Sequence, residues 1–232
     1  MIQDFKAVFF DVGGTLLRVH PSVGDVYAQY ARAYGFDGEP DDLNRHFRTH
    51  WKGLGGMESL GTAKGPEVER GFWKELVRRV FEPYGLQRFD AYFDEIYDVF
   101  RGSDCWKVFE DVTESGLLDR LQARGVVLGV ISNWDSRLPE IIDNTGLGKY
   151  FQFVLASTVV GSAKPDLGIF QEALRLSGVQ PHEACHIGDE VATDVTGAQN
   201  AGVHPILIDR SNRFPDTHPR IQSFHELVME NA

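Results

Sequence analysis

Cysteine is nearly absent: Cys105 and Cys185 are the two in 232 residues. A pair that sparse makes no disulfide framework, so the fold must stand on its core, and a reducing, cytoplasmic setting is expected. No run of about 18 apolar residues occurs, which leaves no transmembrane helix to place. The opening decapeptide carries Asp4 and Lys6 and no cleavage-like site, so it reads as a first strand and not as a signal peptide. A basic surplus is missing as well. Lys and Arg number 23 against 34 Asp and Glu, a formal net charge of −11. Neither nucleic acid nor an anionic membrane is therefore expected as a partner. A small anionic substrate remains compatible, because an acidic protein can still hold a local cation or a cradle of amides. No internal repeat is present, and nothing in the pattern sets an oligomeric state. The length suits one large α/β domain, or a core of about 140 residues with an insertion.

What is present is an alternation. Short apolar runs at Ala7–Phe10, Val126–Ile131, Phe153–Ala156, Ala184–Ile187 and Ile206–Ile208 are separated by stretches with helical spacing. Several runs lack in/out alternation, as strands covered on both faces do. The pattern predicts an α/β fold with a doubly wound parallel sheet. One segment breaks the rhythm. From about Arg18 to Ser103 only helices are expected. The stripes are Val23, Val26, Tyr27, Tyr30, Ala31 and Tyr34; Val68, Phe72, Leu76 and Val80; and Phe89, Phe93, Ile96, Tyr97 and Phe100. Another helix is expected from Asp41 or Asp42 to Trp51. Such stripes bury readily on each other as a bundle, and spacing alone assigns them no function. A glycine-rich loop, Gly53 to Gly65, ends at Pro66 and splits the bundle. The polar stretch from Asp209 to Pro219 reads as a surface loop before a last helix near Ile221–Val228.

Four strand-end loops carry chemistry-bearing residues. Strand one ends in Asp11-Val12-Gly13-Gly14-Thr15-Leu16, where open α/β sheets bind ligands and where glycines let backbone amides approach an anion. Strand two ends in Ser132-Asn133. The loop after strand three carries Lys164-Pro165-Asp166, with Asp166 placed to cap the next helix. Strand four ends in Gly188-Asp189-Glu190, and Asp194 follows. Each piece alone has a plain structural explanation. Together they bring Asp, Ser, Lys and Asp to one edge of one sheet, which packing does not require.

In these motifs the chain resembles the haloacid dehalogenase-like (HAD) hydrolase superfamily, across residues 11 to 194. The helical insertion is similar to that superfamily's helical cap of the first type, and its hydroxyl- and aromatic-rich content to the branch called HAD-like hydrolase domain-containing protein 3. The resemblance implies a core of residues 1–17 and 104–232 and a cap of residues 18–103. It implies a Mg²⁺-dependent phosphatase of a small phosphorylated substrate, with Asp11 as nucleophile and Lys164 neutralising charge. Gly13, Gly14, Thr15, Ser132, Asn133 and Lys164 would form the substrate site, Thr15 by shaping the loop rather than by reacting. The metal would be held by Asp11, the Gly13 carbonyl, Asp189 and Asp194, and Glu190 would be either a neighbour of the metal or a solvated acid.

The chain departs from the pattern at one position. Typical phosphatases of the superfamily carry a second aspartate two residues after the first, as proton donor. Here that residue is Gly13. Losing a general acid/base costs about 10²–10⁴ in rate. Three readings follow: a slow or specialised phosphatase with His20 as a candidate donor; a dehalogenase or phosphonate-cleaving enzyme, the latter needing a cap lysine among Lys52, Lys64 and Lys74; or a silent phosphate- and Mg²⁺-binding protein. His186 and Cys185 within strand four read as core residues. Trp134 is expected to pack on the cap or on substrate.

Overall fold

The computed structural model describes residues 2–63 and 65–229. Its centre is a six-stranded parallel sheet. The strands are β1 (Ala7–Phe10), β4 (Val127–Ser132), β5 (Phe153–Ala156), β6 (Ala184–Gly188), β7 (His204–Ile208) and β8 (Arg220–Ile221), in spatial order β5-β4-β1-β6-β7-β8. A short antiparallel ribbon joins β2 (Leu17–Val19) to β3 (Trp106–Val108). The helices are α1 (Val23–Ala31), α2 (Pro40–Leu54), α3 (Pro66–Phe81), α4 (Phe89–Val99), α5 (Glu110–Glu114), α6 (Leu117–Ala123), α7 (Leu138–Asn144), α8 (Ser157–Val160), α9 (Leu167–Ser177), α10 (Thr196–Asn200) and α11 (Glu226–Met229).

The all-apolar β1 is buried at every residue because it feeds two cores. Val8 and Phe10 pack with Leu128, Val130 and Ile187 on one face. Ala7 and Phe9 pack with Ile131, Phe170 and Ala173 on the other. A strand covered twice needs no polar alternation. The chain leaves β1 for β4 and β5 on one side, then crosses to β6, β7 and β8 on the other. That reversal opens a crevice at the carboxyl ends of the strands flanking β1.

Helices α1–α4 form a lobe with a separate core in which Tyr27, Leu43, Leu76, Phe81, Tyr92, Phe93 and Ile96 are buried. The chain punctuates it as expected. Ser22 caps α1 by accepting the Asp25 N–H at 3.2 Å. Prolines open α2 and α3, and Gly55 closes α2 in the left-handed region at φ 78°.

Three local expectations change. Arg18 and Val19 lie in a strand, although only helices were expected from Arg18 onward; Leu17 pairs with Val108 and Val19 with Trp106. A three-residue ribbon is too short to show periodicity. Ile221 belongs to β8, not to the last helix, which is confined to Glu226–Met229. Buried Asp209 explains that turn: it accepts N–H bonds from Arg213 and Phe214 and an ion pair from Arg220, folding the polar stretch back onto the sheet. Val68, first of its stripe, is 38% exposed, and its neighbour Glu69 is buried instead, accepting from the Ser136 N–H.

Candidate active site

Parallel register aligns the strand ends. Phe10 is level with Val130 on β4 and Ile187 on β6, so Asp11, Ser132 and Asp189 all emerge at one edge. The Asp11 carboxylate accepts through Oδ1 from the Ser132 hydroxyl at 2.8 Å and from Lys164 Nζ at 2.6 Å. Lys164 Nζ also donates to Asp194 Oδ1 at 2.5 Å. Asp194 Oδ1 meets His186 Nε2 at 2.9 Å, and its Oδ2 accepts the Glu190 N–H at 3.1 Å. Asn133 holds the lysine loop from both sides: its Oδ1 accepts the Lys164 N–H at 2.8 Å and its Nδ2 donates to the Lys164 carbonyl at 2.9 Å.

Two glycines make room for these approaches. Gly14 has φ 79°, and a Cβ there would collide with the Asp189 carboxylate. A Cβ on Gly188 would collide with Asp194, which sits in a π-helical turn, Val191–Val195. Gly13 differs. Its φ is not positive, and a Cβ would rest 3.5 Å from the Trp134 ring. Position 13 could hold a side chain and does not.

The charges are unbalanced. Burial pushes Asp11 above the ordinary aspartate range, with Lys164 opposing. Asp189 is pushed up to about 8 by burial and by Asp11, Asp194 and Glu190, with Arg213 opposing. Burial would also raise Asp194, but Lys164 and His186 outweigh it and hold that carboxyl well below its usual range. Burial alone would lower Lys164, yet Asp11 and Asp194 together hold its ammonium above the usual lysine range. His186 is lowered by burial against Asp194, as suits a core histidine. Oxygens of Asp11, Asp189 and Asp194 lie within 4.8 Å of one another. Three crowded carboxylates facing one buried ammonium can take a further cation, and an all-oxygen donor set suits a hard one.

A cleft of about 590 Å³ opens above this cluster, and Asp11, Gly13, Gly14, Ser132, Asn133, Lys164, Asp189, Glu190 and Asp194 all line it. Thr15, expected in the substrate site, does not: it is fully buried and its hydroxyl has no partner. His20 is exposed and outside the cleft wall, which is lined instead by Arg18, Val19, Pro21 and Ser22. Among the candidate lysines, Lys52 is exposed, Lys74 pairs with Asp90 at 2.7 Å, and Lys64 lies outside the described residues. Asp166 starts α9 without a side-chain cap bond. Glu190 pairs with Arg213 at 2.9 Å.

Several contributors escaped the sequence reading. Arg210 donates to the carbonyls of Gly14 at 3.2 Å and Thr15 at 2.9 Å and pairs with Asp111 at 2.8 Å, bracing the first loop. Arg213 reaches Asp189 Oδ2 at 3.3 Å. Both follow β7, a fifth strand end at the same edge, and that position was the available signal. The loop after Ser132 also grips the helical lobe. Trp73 donates to Asp135 at 2.7 Å, Ser136 N–H donates to Glu69 at 3.1 Å, and Arg137 donates to the Tyr97 carbonyl at 2.8 Å while pairing with Asp135. Asn133 Nδ2 meets Glu58 Oε1 at 2.7 Å. Trp134, by contrast, was expected to pack on the cap or on substrate, and it lies in the cleft wall against Trp106, ring centres 5.2 Å apart.

Comparison with known proteins bears on this geometry. The sequence model of haloacid dehalogenase-like hydrolases matches residues 5–202. A Homo sapiens protein called haloacid dehalogenase-like hydrolase domain-containing protein 3 is 36% identical over 207 residues, 88% of this chain and 81% of that protein. A solved HAD phosphatase from Thermococcus onnurineus has a TM-score of 0.67 at 24% identity, covering 95% of each chain. A 2-haloacid dehalogenase from Pseudomonas syringae pv. Tomato DC3000 has a TM-score of 0.65 at 25% identity, covering 96% of each. One architecture thus carries two chemistries in these neighbours, so the fold by itself assigns neither. By sequence, sheet order and overall shape alike, the chain belongs to the haloacid dehalogenase-like hydrolase family.

Proposed function

We propose that this chain is a Mg²⁺-dependent phosphatase that cleaves a small phosphorylated substrate through an aspartyl-phosphate on Asp11. One observation carries the reading: Asp11 is held through a single oxygen by Ser132 and Lys164, leaving Oδ2 unengaged by them, beside two further buried carboxylates. The proposed division is a core of residues 1–17 and 104–232, which performs the chemistry, and a cap of residues 18–103, which closes over it. Two buried free thiols support a reducing, cytoplasmic setting.

In the first half-reaction an Asp11 oxygen attacks phosphorus, the bond from phosphorus to the leaving oxygen breaks, and that oxygen departs with the electron pair. In the second, water attacks phosphorus, the bond to Asp11 breaks, and inorganic phosphate leaves with the carboxylate restored. Lys164 opposes the burial that raises Asp11 and neutralises charge on the phosphoryl oxygens. The Ser132 hydroxyl and the amides of Gly13 and Gly14 hydrogen-bond those oxygens, and Asn133 fixes Lys164. Asp11, Asp189, Asp194 and the Gly13 carbonyl would hold Mg²⁺, whose charge when bound offsets repulsion between Asp11 and an anionic substrate. Position 13 offers the leaving oxygen no proton, so it is protonated by solvent.

Gly13 also favours a second reading. A departing halide needs no proton, and Asp11 could equally attack a halogen-bearing carbon. A third, silent binding protein follows from the same glycine. Single turnover in oxygen-18 water separates them. The phosphatase places the label in released phosphate; a dehalogenase places it in the Asp11 carboxylate; a binding protein releases nothing. Phosphate release that needs Mg²⁺ and disappears in Asp11→Asn is the expected result, and halide release indifferent to chelator would overturn it.

A further inference from the structure

We propose that the group carried on the phosphate is an aromatic one joined through a phenolic oxygen, seated in a chamber between the ionic cluster and the helical lobe. This deepens the phosphatase reading and rests on it.

Beside the cleft lies a more enclosed cavity of about 80 Å³. Val19, Val23, Phe47, Trp73, Trp106 and Trp134 line both spaces, so the two adjoin along an aromatic wall. An apolar cavity of about 150 Å³ holds a whole benzene ring. The smaller one here accepts the outer part of a ring whose phosphate stays in the cleft. The cavity's one charged residue, Arg137, is already satisfied. Its guanidinium pairs with Asp135 at 2.7 Å, donates to the Tyr97 carbonyl, and lies 3.9 Å from the Tyr97 ring centre.

The wall offers little to a polar substrate. Among the described residues the cleft is lined by two cations. Lys164 is bound to Asp11 and Asp194, and Arg18 pairs with Glu110 at 3.4 Å. Ser22 is engaged with Asp25 and Asn44, and Glu58 with Asn133. A sugar or polyol would leave its hydroxyls unpaired against indole rings, a cost of about 1–3 kcal/mol for each buried group. A second anionic group would find one cation besides Lys164, Arg18, half exposed at the rim and shared with Glu110. An aromatic ring instead stacks on the wall and loses contact with water.

The missing proton donor points the same way. The space beside Gly13 that an acid would fill abuts Trp134, a member of the wall. A phenol is a far stronger acid than an alcohol, so a phenolate leaves without protonation in the transition state. Shape and leaving-group chemistry therefore select the same substrate class.

The test uses the full chain with Mg²⁺ and three probe sets: aryl phosphates with a graded series of phenol acidities, glycerol and hexose phosphates, and acetyl phosphate, which has a good leaving group but no ring. We expect kcat/KM for aryl phosphates to exceed that for the polyol phosphates by at least about 10³-fold, beyond what one extra hydrophobic contact supplies. Val23→Trp, which narrows the chamber, should lower the ratio of aryl to acetyl phosphate turnover by about tenfold or more. Phenylphosphonate should quench the wall tryptophans and bind more tightly than methylphosphonate, a measurement that needs no turnover and no variant. Equal or better turnover of the polyol phosphates, or equal affinity for the two phosphonates, overturns the aromatic assignment while leaving a phosphatase in place. No turnover of any phosphate overturns both.

Discussion

The floor and the wall of the cleft are built on opposite physics. The floor is charge: Asp11, Lys164, Asp194 and His186 are buried and interlocked at distances of 2.5–2.9 Å. Asp11 follows β1, Lys164 lies in the loop beyond α8, His186 is within β6 and Asp194 is in the turn after it, and the sheet's register brings β1 and β6 level. The wall is aromatic and comes mostly from helices outside the sheet and from the β2–β3 ribbon that leads to them. A floor of interlocked buried charges tolerates little change, because removing one partner strands a charge. A wall of rings tolerates reshaping at modest cost. Chemistry and selection can therefore vary independently in one chain. The loop Asn133–Arg137 is where they meet: its first residue holds Lys164, and its later ones hold Glu69, Trp73 and Tyr97.

The comparison can be broken or sharpened by substitution. The largest effect belongs to the floor. Asp11→Asn should reduce kcat by roughly 10⁴-fold or more, read by phosphate release, because it removes the proposed nucleophile. Next is the gap in the floor. Gly13→Asp is free of backbone strain and of a clash at Cβ. It should raise turnover of poor leaving groups, such as glycerol phosphate, by about 10²–10⁴-fold, with far less gain for aryl phosphates. Equal gains for both would show that proton donation does not limit the native chain. At the junction, Asp135→Ala leaves Arg137 buried at 8% exposure without its carboxylate. The expected loss of stability is about 3–5 kcal/mol, measured by urea unfolding.

The smallest effect lies beneath the floor, where Asp111 anchors Arg210. Burial would raise the Asp111 carboxyl, but Arg210, the Phe224 N–H and Ser223 outweigh it and hold it below the ordinary aspartate range. A depressed folded pKa contributes stability that is fully present above the unfolded value of about 3.9 and is lost as pH falls through the folded value. The difference in unfolding free energy between the parent chain and Asp111→Asn should therefore shrink on acidification below about pH 4. A difference independent of pH would assign the anchor to packing alone.

The floor was readable in the sequence because Asp11, Ser132 and Asp189 sit at the ends of apolar runs and Lys164 lies in the loop region that follows another, and parallel strands send all such ends to one edge. Asp11, Ser132, Lys164 and Asp189 needed no knowledge of the helices between them. The wall was only half readable. Helical stripes showed which aromatics are apolar partners, but Trp51 and Trp73 lie off those stripes and both line the cleft. Which ring faces the site depends on how the lobe docks, and spacing within one helix carries no such information. Arg210 and Arg213 looked like surface residues in a polar stretch, since the fold-back through buried Asp209 is a tertiary event. The β2–β3 ribbon and β8 escaped because two or three residues cannot display a period.

The account stands most directly on covalent capture at Asp11. Rapid acid quench of the chain with Mg²⁺ and a phosphoryl-labelled aryl phosphate, followed by peptide mapping, tests it. The predicted result is a hydroxylamine-sensitive label on the peptide bearing Asp11, absent in Asp11→Asn. Sustained turnover with the label on another peptide would contradict it.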